Sequence, residues 1–135
     1  KIIEMRGTDC GSPDMIRALP AFWVGLLYDE QTLEKAKTFI RNWSQQEILS
    51  LYEQARTSGL SGAGLHDGTG MHKLAAEVLA LAKEGLSARA LGEEIYLEPL
   101  DEIVKTGKTG AEQMIATVEA EPNKNPACLF DAFRL

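Results

Sequence analysis

Two hydrophobic rhythms divide the chain. In residues 2–6, Ile2-Ile3-Glu4-Met5-Arg6, apolar Ile3 and Met5 alternate with charged Glu4 and Arg6. A period of two predicts a β-strand with Glu4 and Arg6 on one face. From residue 12 onward the apolar positions recur at helical spacing. Ser12-Pro13-Asp14 reads as an N-cap, a first-turn proline and an early acid. Pro20 predicts a break, with separate helical pieces over 13–19 and 21–28. A helix is expected over 31–43, carried by Leu33, Ala36, Phe39, Ile40 and Trp43.

Capping boxes announce two later helices. Ser44-Gln45-Gln46-Glu47 opens one that Gly59 stops, and Thr109-Gly110-Ala111-Glu112 opens one running to about 120. Residues 58–70 are glycine-rich and read as loop. Helices are also expected over 71–91 and 97–106, and the tail from 126 can add one or two apolar turns. The expectation is therefore a mainly α chain, with about six helices after one N-terminal β-strand. It forms a single segment over 1–135 with no internal boundary. The stripe expected to be buried includes Leu26, Leu74, Leu81 and Leu86, and equally Ile40, Leu49, Met114 and Ile115.

Composition narrows the function classes. Hydrophobic residues are 44% of 135, enough for a real core, and the net charge is -6. An acidic chain with no basic run argues against a nucleic-acid surface. The longest apolar run, residues 18–28, is too short to span a bilayer. Cys10 and Cys128 lie at opposite ends, so neither a disulfide framework nor a CxxC metal site is suggested, and a reducing cytoplasm is the expected setting. An opening strand needs pairing partners, so the chain is expected to be a piece of a longer protein.

The chemistry is sparse. A carboxylate beside a guanidinium on one strand face suits a metal ion and a phosphate held together, because Asp and Glu oxygens ligate Mg²⁺ and Arg makes forked contacts to phosphate. The same spacing also fits a surface ion pair of little energetic weight. Gly62-Ala63-Gly64 follows no predicted strand and is not a dinucleotide motif. His66, Asp67 and His72 lack metal-ligand spacing and read as a turn and a helix cap. Cys10 beside Asp9 is poorly placed for thiolate chemistry. Trp23, Phe39 and Trp43 read as core aromatics, and Glu84, Glu93 and Glu94 as a solvated face.

The run Glu4-Met5-Arg6-Gly7-Thr8-Asp9, then Ala18-Leu19-Pro20-Ala21-Phe22-Trp23-Val24-Gly25-Leu26-Leu27-Tyr28-Asp29, resembles the C-terminal part of glutamate–cysteine ligases of the proteobacterial and plant type. Leu97-Glu98-Pro99-Leu100-Asp101-Glu102 and Thr106-Gly107-Lys108-Thr109 fit in the same order. The resemblance implies a fragment of a larger α+β, glutamine-synthetase-like ligase. That enzyme would join the γ-carboxylate of L-glutamate to the amine of L-cysteine through γ-glutamyl phosphate, the first step of glutathione biosynthesis. It implies ATP as co-substrate and Mg²⁺ as cofactor. By the family's Glu-x-Arg motif, Glu4 would ligate the metal, and Arg6 would be the catalytic, phosphate-binding residue. Where the family reads Gly-Gly-Pro-Trp-Arg-Arg, this chain has Cys10-Gly11-Ser12-Pro13-Asp14-Met15-Ile16-Arg17 and keeps Arg17 alone of the basic pair. The expected partners are glutamate, cysteine and ATP, with no nucleic acid and no membrane, and the isolated segment is expected to be inactive. The rival readings are a stand-alone acidic helical interaction module and a carboxylate–amine ligase with another acceptor.

Overall fold

The computed structural model describes Glu4, Met5, Thr8 and residues 11–133. Helix α1 (Pro13–Leu27) starts where the Ser12 hydroxyl accepts the Met15 N–H at 3.3 Å. It runs unbroken through Pro20, so the expected split into two pieces is corrected. Pro20 is exposed and Ile16, four residues before it, is 59% exposed. The backbone group that loses its donor therefore lies on the solvent side, where water replaces the missing bond.

Helix α4 (Met71–Arg89) crosses α1 at backbone contact. A methyl placed on Gly25 would stand 2.1 Å from the Ala82 carbonyl oxygen, and one on Gly85 would stand 1.8 Å from the Gly25 carbonyl oxygen. Only glycine permits that approach. Ala18, Ala21 and Ala82 are buried alongside, and Leu26, Leu79, Leu86 and Leu97 fill the surrounding space.

Helices α2 (Glu30–Ile40) and α5 (Glu98–Thr106) flank this crossing. Asp29 caps α2 by accepting the Thr32 N–H at 2.8 Å. Thr32 is 1% exposed, and its methyl lies 3.2 Å from where a Gly85 side chain would begin. Leu100 and Val104 of α5 pack on the core from the other side. The turn after α4 places Ala90 at φ 53° and Gly92 at φ 69°, and it leads into a 3₁₀ segment, Glu93–Leu97, whose Leu97 is fully buried.

Helices α3 (Gln45–Ser58), α6 (Gly110–Ala120) and α7 (Cys128–Ala132) have no buried residue and, unlike α5, place no side chain against the core cluster. Both expected capping boxes are present. Ser44 N–H donates to Glu47 Oε2 at 2.8 Å, and Thr109 N–H donates to Glu112 Oε2 at 2.7 Å. Gln54 ties α3 to the following loop, receiving the Gly64 N–H at 2.6 Å and donating to the Gly64 carbonyl at 3.1 Å. Ile40, Leu49, Met114 and Ile115, expected in the core, are 53%, 60%, 40% and 57% exposed.

The described residues form seven α-helices and two 3₁₀ segments, so the mainly α reading holds with one more helix than expected. The expected N-terminal strand is not supported. Glu4 and Met5 carry no regular structure, and Ile2, Ile3 and Arg6 lie outside the described residues. A strand requires a neighbour to take its backbone hydrogen bonds, and no strand occurs among the described residues to provide one.

Candidate functional site

The carboxylate of Glu4 is exposed at the N-terminal edge, while Arg6 falls outside the described residues. The expected Glu4–Arg6 pair therefore lies in part outside the described residues. Nearest in sequence to that edge is the first turn of α1, which forms one wall of an open groove of about 370 Å³. Asp14 and Arg17 of α1 face Ile95 and Tyr96 of the 3₁₀ segment and Glu98 and Pro99 at the start of α5.

Arg17 donates to the Asp14 carboxylate one turn back, and both side chains are exposed. A guanidinium carries five donors in a fork, so this pairing leaves capacity for a further anion. Asp14 and Glu98 nevertheless give the lining two carboxylates against one guanidinium. That balance favours a cation or an ammonium group over a free phosphate. The groove thus has an aromatic wall and charge of both signs.

Elsewhere the candidate ligands are occupied by structure. The Asp67 carboxylate accepts the Thr69 N–H at 2.9 Å, and this backbone bond holds its carboxyl below the ordinary aspartate range. His72 Nε2 bonds the Val104 carbonyl in the last turn of α5, joining two helix ends. His66 is exposed on the loop. No group of three His, Cys, Asp or Glu side chains that could hold a metal occurs among the described residues. Cys128 is half-buried and unbridged, and Cys10 lies outside the described residues.

The aromatics behave as packing. Phe22–Trp23 and Phe39–Trp43 meet edge-on with centroids 5.4 Å apart. Sequence reasoning missed the ion pairs that lock α4 between its neighbours. Lys35 of α2 reaches Glu84, and Lys83 donates to Asp101 of α5 at 2.6 Å. Glu84, read as part of a solvated face, is half-exposed yet spans two helices. The adjacent Lys83-Glu84 of opposite sign was the available signal, since neighbours on a helix point to different sides. Each pair is partly exposed and contributes about 0–1 kcal/mol.

A family model described as glutamate–cysteine ligase family 2 matches residues 1–128. The chain belongs to that family. Among curated members of this ligase family, it is 37% identical to the chloroplastic glutamate–cysteine ligase of Medicago truncatula over 131 residues, covering 97% of this chain and 25% of that protein. It is 42% identical over 115 residues to the chloroplastic enzyme of Solanum lycopersicum, covering 85% of this chain and 22% of that protein. Identity to the Arabidopsis thaliana chloroplastic enzyme is 39% over 121 residues, covering 90% and 23%. The chain thus spans about a quarter of the length of the curated relatives it matches. The expected cytoplasmic setting is overturned, because these ligases are chloroplastic. Two widely spaced cysteines could not distinguish one reducing compartment from another. Among the described residues, no helix is long and apolar enough to cross a membrane.

Proposed function

We propose that this chain is the C-terminal, helical part of an ATP-dependent ligase. The reaction joins the γ-carboxylate of L-glutamate to the amine of L-cysteine through γ-glutamyl phosphate. The observation that carries this reading is family membership across residues 1–128, which includes the Glu4-Met5-Arg6 motif. A stand-alone interaction module is disfavoured by that same extent.

Glu4 offers a hard, exposed carboxylate of the kind Mg²⁺ takes once or twice, with water and phosphate oxygens filling the other positions. With no set of three ligand side chains among the described residues, Glu4 fits as one contributor to a site completed by other residues. Bound Mg²⁺ would neutralise charge on the transferring phosphoryl oxygens. Arg6 would grip the same oxygens through its planar fork, a contact most valuable as charge builds in the transition state. On this reading the 135 residues alone do not turn over.

The test is ADP release with MgATP, glutamate and cysteine, run on the isolated chain and on a ligase polypeptide that carries it. Turnover that needs both amino acids is expected only in the longer protein. In that protein Arg6→Lys should lower kcat about 10- to 100-fold, since a point charge replaces a fork, and Glu4→Gln should raise the Mg²⁺ concentration for half-maximal rate. Turnover by the isolated chain would overturn the division of labour. A longer protein indifferent to cysteine but active with another amine would move the reading to the related ligase class.

A further inference from the structure

Two helices of this chain lack the packing that a helix of their length needs. Isolated helices of 11 or 14 residues are marginal in water, and most helical stability in proteins comes from covering an apolar face. Helix α3 presents Ile48, Leu49 and Tyr52 on one side, 52%, 60% and 71% exposed. Helix α6 repeats the pattern with Met114 and Ile115, 40% and 57% exposed, beside Val118. Met114, Ile115 and Val118, with Glu119 beside them, line one side of a mainly apolar groove of about 240 Å³ whose other side is Leu129 of α7. The two helices adjoin, for Gly59 at the end of α3 sits against Thr109, the cap of α6.

The missing cover is large. The chain exposes 9682 Å², where a compact monomer of its mass exposes about 7,000 Å². The excess, on the order of 2,500 Å² on one side, is spread over the whole chain, α3 and α6 included, and is more than the roughly 800 Å² per partner of a standard interface. The relatives supply the material, because this chain spans only 25% of the Medicago truncatula enzyme's length.

We infer that the outer faces of α3 and α6 are the seat on which the remaining three quarters of the ligase polypeptide packs. The occupant is the same chain's catalytic part, in preference to a second copy or a foreign protein, and the inference rests on the ligase reading above. The capping boxes set where the two helices begin, and the docked part keeps them formed.

Amide hydrogen exchange on the full ligase polypeptide tests this. Expected are slow exchange in α3 and α6, at least tenfold faster exchange in α3 for Leu49→Ala and in α6 for Ile115→Ala, and unchanged exchange in α1 and α4. Gln46→Glu, an exposed polar position on α3, should leave all rates as they were. Alanine variants that exchange like the parent would place these faces in water and overturn the inference. Protection that grows with protein concentration would assign the face to a second copy and also overturn it. ADP release measured in parallel separates the two readings. The expected exchange pattern without cysteine-dependent turnover sinks the ligase mechanism alone, and the reverse sinks the docking seat alone.

Discussion

At the α1–α4 crossing one added methyl would collide with a carbonyl oxygen, whereas on α3 a leucine and a tyrosine stand mostly in water. Both regions are helical, and α1 and α3 each begin at a capping serine, so a good cap does not separate them. They differ in whether the chain itself supplies the opposite wall. Around Gly25, Ala82 and Gly85 the two helices complete each other. Around Leu49 the sequence writes an apolar face left mostly exposed, and around Ile115 one that Leu129 of α7 covers only in part. Stability in the first region is intrinsic, and in the second it depends on what is placed against it.

Four substitutions sharpen that contrast. The largest effect is expected from Gly85→Ala, which forces a Cβ to 1.8 Å from the Gly25 oxygen. Helix separation should cost about 3 kcal/mol or more, read as a collapse of the chemical-denaturation midpoint. An unchanged midpoint would show that the backbones do not touch. Next comes Leu86→Ala at a fully buried position, expected to cost about 2–5 kcal/mol through the cavity it leaves. Third is Ser44→Ala, which removes the cap of α3 and should cost about 1 kcal/mol, seen as lost helical signal. Smallest is Ala90→Gly, which relieves a left-handed φ of 53°. It should stabilise by up to about 1 kcal/mol in thermal unfolding.

Acid should act on the second region through its caps. The Glu47 and Glu112 carboxyls are held below the ordinary glutamate range, chiefly by the backbone N–H groups of Ser44 and Thr109. A depressed folded-state value means that the contribution is fully present above the unfolded-state value of about 4.3 and is lost as pH falls through the lowered one. Carboxyl NMR titration of both residues should therefore give midpoints below that of a free glutamate. Midpoints at or above it would remove the boxes as a source of acid sensitivity.

Much of the helical layout was legible because its signals are local. Ser44-x-x-Glu47 and Thr109-x-x-Glu112 name their own hydrogen bonds, and Gly59 and Gly107 mark stops that the structure keeps. Pro20 misled because it lies on the exposed side of α1, where the loss of one backbone bond costs least, a fact of orientation. Gly25 and Gly85 were passed over because a glycine inside a helix reads as a weak point until its opposite number is known. Periodicity named Leu49 and Ile115 as apolar face but could not say whether the cover lay nearby. The Glu4 and Arg6 roles came from their spacing on an expected strand and from family resemblance. The groove joining Arg17 to Tyr96 was invisible because its walls are far apart in the chain and no local pattern connects them.

The glycine crossing also governs how the segment can move. With carbonyl oxygens occupying the space where side chains would give slack, α1 and α4 can neither slide nor roll past one another. Helix α4, 19 residues and therefore about 28 Å long, is pinned by this crossing near its C-terminal end and by buried Leu74 and Leu79 toward its start. The two helices therefore form one rigid body, and at its far tip His72 ties in the end of α5.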